Sequence, residues 1–468
     1  MASSGNIDSV KQGPSKPDNG QDISRSRKRW FAFIAASLPF LVILAIETLL
    51  RSLGFGGHPP LCRRVTETPQ GELYLVDVAK ARSYFFANRD RPGYNYTDAF
   101  LLPKPEGSIR ILMAGESALQ GYPQPRNLAS SSFLKAMLED AWPGRTVEVL
   151  NLGTTAAASF PVMEMALEGA RFDPDLVVIY TGHNEFFGAY GVASAHRAGS
   201  HPWMLKVHRW MYATAIVQAL ERVRTRGGPR EDKTLMELMV GQGYTPARHW
   251  KRDAAARNLY RHVKAIADFY RSRHVPVMIC TLPTNERDLA PLGEDRLEPS
   301  DADALSRALR QIASNPRQAK AALTDLLEKH PELARAHYGL GLIYDKEGAI
   351  EESRQHLVAA RDLDTMPWRI STPLQEALIR AAGDSGALLC DVEAAFRANS
   401  PGGSIGWELM DDHVHPALEG QSLIARSIVE SLSHLNGPLQ VSSNAFANLA
   451  QRLAFYPECR RPNRLASA

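Results

Sequence analysis

Ser117 stands in the run ILMAGESALQG, where a short apolar stretch gives way to a glycine-flanked turn. A serine in that position can act as a nucleophile, because it is exposed at the carboxyl end of a strand and close to backbone N–H groups. The same position suits an ordinary helix N-cap, so Gly-Glu-Ser alone does not choose between the two. A second cluster lies far along the chain in ELMDDHVHPALEGQSLIARSIVESL. Asp412 and His415 are three residues apart there and lead into a helical pattern. One short segment can therefore supply an imidazole base and the carboxylate that orients it. Asp411 and His413 are the neighbouring alternatives, and their spacing suits the pairing less well. The chemistry requires Ser117 Oγ at one ring nitrogen of His415 and Asp412 at the other.

Two further positions could stabilise negative charge. Gly153 follows the run VLNL and Asn184 follows VVIYTGH. A glycine N–H is approachable because no Cβ intervenes, and asparagine adds a side-chain amide. With the Ser117 amide they would form an oxyanion hole, in which losing one donor typically costs about 100- to 1000-fold in rate. Both residue types are also common in plain turns. Acyl transfer to serine by this route needs neither metal nor cofactor.

Such groups meet only if the chain brings distant segments to one edge. Short apolar runs recur at Ile109 to Ala114, Val147 to Leu152, Leu176 to Thr181, Val275 to Thr281 and Ala387 to Val392, with longer helical patterns between them. Continuous apolar strands alternating with helices predict a parallel sheet covered on both faces. The expected fold is α/β, a flavodoxin-like three-layer α/β/α sandwich. Two connections exceed a simple crossover. The first, from Glu185 to about Trp250, holds PWMLKVHRWMYATAIVQALERVRTR with Lys206, His208, Arg209, Arg222 and Arg224. It reads as a crossover helix on the sheet, or else as a lid or a basic face touching a membrane. In the second, Ala319, Leu323, Leu326 and Pro331 recur about 34 residues later as Ser353, Leu357, Ala360 and Thr365. With Leu340, Gly341 and Tyr344 this looks like one tetratricopeptide repeat preceded by a weaker one. Its expected roles are structural support and the docking of a protein partner.

Taken in order, Gly115-Glu116-Ser117, Gly153, Gly182-His183-Asn184 and Asp412-His413-Val414-His415 resemble the four motif blocks of the SGNH/GDSL hydrolases. The resemblance covers about Ser108 to Leu435 without the repeat insertion. It implies Ser117 as nucleophile, Ser117 N–H, Gly153 and Asn184 as the oxyanion hole, and Asp412 with His415 as the remainder of a triad. One position departs from the pattern: the usual Asp before the nucleophile is Glu116 here.

At 468 residues, with 44% hydrophobic and 22% charged side chains, the chain is neither wholly disordered nor polytopic. A net charge of +3 and the lack of a basic stripe interleaved with aromatics leave nucleic acid out as a partner. Trp30 to Leu50 is apolar except for Glu47, and as a helix it spans about 30 Å, the thickness of a bilayer core. Arg25, Arg27, Lys28 and Arg29 precede it, whereas Arg51 stands alone after it, which places the N-terminus in the cytoplasm and the remainder outside. A cleaved signal peptide fits less well, since no small-residue cleavage site precedes Arg51. Cys280 and Cys390 lie in apolar runs as core thiols, while Cys62 in PPLCRR and Cys459 in YPECRR could bridge in an oxidising compartment.

The expected organisation is a disordered tail 1–29, a transmembrane helix 30–50, and an N-terminal extension 51–107. A hydrolase core of 108–283 and 371–436 is interrupted by the helical insertion 284–370 and followed by a C-terminal helix and tail 437–468. The expected function is hydrolysis of an ester in an acylated cell-envelope glycan or a lipid. O-acyl transfer to a glycan is the enzymatic alternative, and an inactive scaffold that binds a partner through the insertion is the non-enzymatic one.

Overall fold

The strand Ile109–Gly115 is apolar at nearly every position and buried along its whole length, which requires cover on both faces. In the computed structural model, which describes residues 25–86, 91–197, 201–225 and 233–433, it is an inner strand of a five-stranded parallel sheet. Numbering strands along the chain, β1 (Cys62–Thr68), β2 (Gly71–Val76) and β3 (Ala99–Leu102) form a separate antiparallel sheet within the N-terminal extension. Next come β4 (Ile109–Gly115), β5 (Val147–Asn151), β6 (Leu176–Tyr180), β7 (Val277–Cys280) and β8 (Leu388–Cys390). Their order across the sheet is β5-β4-β6-β7-β8. This is the flavodoxin-like order, so the fold is α/β as expected.

Successive connections leave β4 in opposite directions across the sheet, and right-handed crossovers then put their helices on opposite faces. Ser130–Ala141 packs with Leu418–Ser433, while Ser159–Glu168 and Thr372–Ser385 both pack on Trp250–Arg271. The sheet crossover before β7 is thus Trp250–Arg271 and not the earlier helical stretch. Because β4 and β6 are neighbours whose connections diverge, the crevice beyond their carboxyl ends is the topological switch point, where ligands bind in such sheets. Cys280 and Cys390 are buried register partners in β7 and β8. Cys62 is half-buried in β1, but Cys459 lies outside the described residues, and so does the proposed bridge. Segment 437–468 lies outside them as well, as does most of the tail 1–29.

Between β7 and β8 run the helices Pro299–Gln311, Pro316–Lys329, Ala334–Glu347 and Ile350–Leu363, packed in sequence, the first three around their own small core of Leu305, Leu323, Leu340 and Ile343. Their junction with the sheet is ionic. Glu286, buried in the segment after β7, accepts from Arg361 at 2.7 Å and from Arg397 at 2.8 Å. Arg361 comes from the insertion and Arg397 from the helix Val392–Ala398 that follows β8. Removing one member of such a network strands the others in a low-dielectric interior. Glu286→Gln is therefore expected to cost about 3–5 kcal/mol. The check is a lowered denaturant midpoint at unchanged m-value, and an unaltered midpoint would show that the junction is held by packing alone.

A second compact unit comprises, among the described residues, 25–57 and 212–225. Its helix Arg25–Ser52 contains Arg29–Ser52, an unburied apolar stretch long enough to cross a membrane. The lone acid of that stretch has a structural use. The Glu47 carboxylate accepts from the backbone N–H groups of Ala215 (2.9 Å) and Ile216 (3.0 Å), the start of helix Ala215–Thr225, and pairs with Arg51 at 2.8 Å. A carboxylate there satisfies orphan donors at a helix N-terminus and complements its dipole.

Candidate active site

β4 ends at Gly115, and the chain turns at once into the short helix Ser117–Gln120. As the first helical residue, Ser117 has an amide without an intrahelical acceptor, and its side chain lies at the switch-point crevice. The C-terminal segment Met410–Pro416 closes on itself, with the Asp411 N–H donating to His415 O at 2.8 Å. Within this turn Asp412 Oδ1 accepts from the N–H groups of Val414 and His415, each at 2.8 Å. Its other oxygen, Oδ2, lies 2.6 Å from His415 Nδ1. His415 Nε2 in turn lies 2.7 Å from Ser117 Oγ. Ser117 and His415, 298 positions apart in the chain, thus form one hydrogen-bonded line with Asp412, with the two imidazole nitrogens in separate roles.

The electrostatics suit that line. Burial would raise the Asp412 carboxyl, but the His415 and His413 imidazoles and the backbone donors override it and hold the group well below the usual carboxylate range. Asp412 is thus an anion that fixes His415 as a Nδ1 donor, leaving Nε2 to accept from serine. The neighbours are not equivalent to it. Asp411 is pushed up to about 6 by burial and accepts from Gln124 Nε2 at 2.6 Å. Burial lowers His413 to about 4, and its Nδ1 stands 3.6 Å from Asp412 Oδ1.

The oxyanion candidates differ in readiness. Gly153 approaches the nucleophile's helix so closely that a Cβ would come within 2.3 Å of Gln120 N, so only glycine fits. Its N–H donates to Asn151 Oδ1 at 2.8 Å, and an oxyanion would have to share that hydrogen. Asn184 sits in the single 3-10 turn His183–Glu185 just beyond β6. Among the described residues nothing hydrogen-bonds its side-chain amide, and the residue is 7% exposed.

Glu116 binds the turn that follows β6 with both carboxylate oxygens. Its Oε1 accepts from Thr181 Oγ1 (2.7 Å) and Gly182 N (2.8 Å), and its Oε2 from His183 N (3.1 Å) and Asn184 N (3.2 Å). The residue before the nucleophile therefore grips the turn that carries Asn184. Gly182 has φ +151°, a backbone state that L side chains rarely adopt, and this lets three successive N–H groups converge on one carboxylate. Burial, reinforced by Glu185, pushes Glu116 up to about 8, against the pull of its donors.

Sequence reasoning missed two aromatic neighbours. The Tyr122 ring lies edge-on to His415 at 4.8 Å between centroids, and Trp368 lies 6.0 Å from His413. Tyr122 follows Ser117 by five residues and could have been suspected from proximity. Trp368 comes from the end of the insertion, and nothing in its local sequence marks it. Ser117 is 8% exposed and His415 7%, so the crevice admits solvent only narrowly.

No protein-family model matches the sequence, and no curated protein matches it. Among solved structures, similarity is found to the lipase/acylhydrolase from Enterococcus faecalis, at 12% identity over 69% of this chain and 95% of that one, with a TM-score of 0.32. A catalytic mutant of an acetylxylan esterase from Geobacillus stearothermophilus matches at 12% identity over 69% of this chain and 94% of that one, with a TM-score of 0.32. A protein described as lipolytic and of the G-D-S-L family, from Desulfitobacterium hafniense, aligns at 12% identity over 69% of this chain and all of that one, with a TM-score of 0.31.

Proposed function

We propose that this chain is a serine esterase of the SGNH/GDSL type, which hydrolyses an acyl ester through an acyl-Ser117 intermediate. The observation that carries the reading is the line Ser117 Oγ, His415 Nε2, His415 Nδ1, Asp412 Oδ2, with contacts of 2.7 and 2.6 Å, at the switch point of the sheet. The four motif blocks lend it further support. In the first half-reaction Ser117 Oγ attacks the ester carbonyl carbon while His415 Nε2 takes the hydroxyl proton. The charge that develops on the carbonyl oxygen is met by the Ser117 amide and the Asn184 side chain, with Gly153 N–H as a shared donor. Collapse expels the alcohol, which leaves with the proton from His415. Water then enters by the same route in reverse and releases the acid.

The apolar helix is read as a membrane anchor that holds the catalytic module on the extracytoplasmic side, next to acylated envelope glycans and lipid esters. The four-helix insertion is read as tetratricopeptide-like. It contributes Trp368, whose ring lies 6.0 Å from that of His413, and is the natural place for a protein partner to dock.

The test is to mix the purified full chain with a short-chain acyl ester of a chromogenic alcohol and quench early. A burst of alcohol, together with acyl mass on the peptide containing Ser117, is the expected result. Repeating the reaction with a glycan acceptor separates two fates of the intermediate: acyl appearing as free acid supports hydrolysis, while acyl appearing on the glycan replaces the hydrolase reading with a transferase. Absence of any acyl adduct and of turnover would leave the scaffold alternative standing.

A further inference from the structure

The helix Pro202–Tyr212 is inverted relative to a normal surface helix. Its inner face carries buried Leu205 and buried Arg209, whose guanidinium pairs with Glu164 at 2.9 Å, reaches the Ser83 backbone and hydroxyl, and lies 4.0 Å above the Tyr84 ring. Its outer face carries Trp203, Val207 and Trp210, which at spacings of four and three form a single stripe, with Met204 beside it. Trp203 is 64% exposed and Trp210 68%. A lone surface aromatic is ordinary, but a whole helical stripe with its polar anchor turned inward marks a surface that something covers.

We infer that this stripe lies in the interfacial layer of the membrane into which the same chain's apolar helix inserts, so that Pro202–Tyr212 is a second, in-plane contact with lipid. The inference rests on reading Arg29–Ser52 as an anchor. Three features favour lipid over a protein partner. Tryptophan is the residue enriched where hydrocarbon meets headgroups, since its ring is apolar and its N–H is a donor. Exposed Lys206 flanks the stripe, and the helix PWMLKVHRWMY contains no acid, as suits a surface of anionic headgroups. A chain already tethered by a span also meets that surface at high effective concentration, so even a short stripe would be bound. The consequence for the proposed esterase is orientation: two contacts fix the module against the bilayer where one would leave it free to swivel.

The full chain is reconstituted into vesicles of phosphatidylcholine and phosphatidylglycerol whose acyl chains carry bromine either near the headgroup or deep in the core, and tryptophan quenching is recorded. Three proteins are compared: wild type, Trp30→Phe, and the double variant Trp203→Phe with Trp210→Phe. Phenylalanine keeps the stripe apolar while removing the reporter. If Trp30, Trp203 and Trp210 are the lipid-facing tryptophans, the double variant loses about two-thirds of the lipid-dependent quenching, and the lost part is strongest with shallow bromine. Wild-type quenching in the double variant, with loss in Trp30→Phe, overturns the in-plane contact and leaves the anchor intact. Loss in the double variant with none in Trp30→Phe removes the anchor reading and keeps the contact, whereas no quenching in any of the three proteins overturns both. A detergent-solubilised dimer that Trp203→Glu converts to monomer, with no quenching of the pair, would assign the stripe to a second copy and overturn the proposal.

Discussion

Ser117→Ala is expected to reduce kcat by about 10⁴- to 10⁶-fold and to abolish covalent labelling by a fluorophosphonate, because among the described residues no other hydroxyl lies against His415 Nε2. His415→Ala should lose nearly as much. The double variant should be no worse than either single one, since the two groups act as a unit and removing one already disables the other. Asp412→Ala should be milder. Its carboxylate sets the tautomer of His415 and stabilises the imidazolium, but it breaks no substrate bond. It also accepts two backbone N–H groups in the turn that carries His415, so part of its cost will appear as a lowered Tm. Ester hydrolysis, probe labelling and thermal unfolding of the same preparations separate these effects. Retention of wild-type turnover by Ser117→Ala would place the nucleophile elsewhere and dissolve the proposed mechanism.

The sheet and the site were legible in the sequence to different depths. The inner strands β4, β6 and β7 announce themselves because both their faces are buried, so composition alone marks them. The serine could be nominated because it falls where a strand ends, and the histidine and aspartate because they stand three residues apart before a helical pattern. Their meeting depends on strand order, which no local pattern encodes. What escaped was contact between distant segments. Glu116 stands out in the sequence as a departure from the motif, but what it holds, four donors on the turn after β6, appears only when β6 is placed beside β4. Glu47 looks like a blemish in an apolar helix until the start of another helix is found at its carboxylate. The stretch Pro202–Tyr212 shows the opposite failure. Its periodicity was plain, but periodicity does not say which face turns inward, and here the arginine at position 209 and its partners settled the matter against the usual rule.

Glu116 gives the second large effect, because activity and stability should answer to pH with opposite signs. The unperturbed value is 4.5, and burial beside Glu185 pushes Glu116 up to about 8. A carboxyl raised in this way contributes stability that is complete below its unfolded value and is lost as pH rises through the folded one, because between the two the native state holds a proton that the unfolded chain has released. The Tm should therefore fall from about pH 5 towards about pH 8. Glu185, pushed up to about 7 by burial and held by Ser159, adds to the same slope. Catalysis runs the other way. All four donors point hydrogen at Glu116, an arrangement only the carboxylate satisfies in full, so the grip on the Asn184 turn tightens as the group ionises. Glu116→Gln presents one acceptor oxygen and an NH₂ that must face donors, and the turn that carries Asn184 loosens. The expected result is a kcat about 100-fold lower, the scale of one misplaced oxyanion donor, with KM little changed. The variant should also lose the rise in kcat near pH 8 and part of the Tm slope, the remainder belonging to Glu185. Were Glu116→Gln to keep both the wild-type kcat and its pH profile, the carboxylate would be only a structural tie between β4 and β6, and Asn184 would need another means of being aimed.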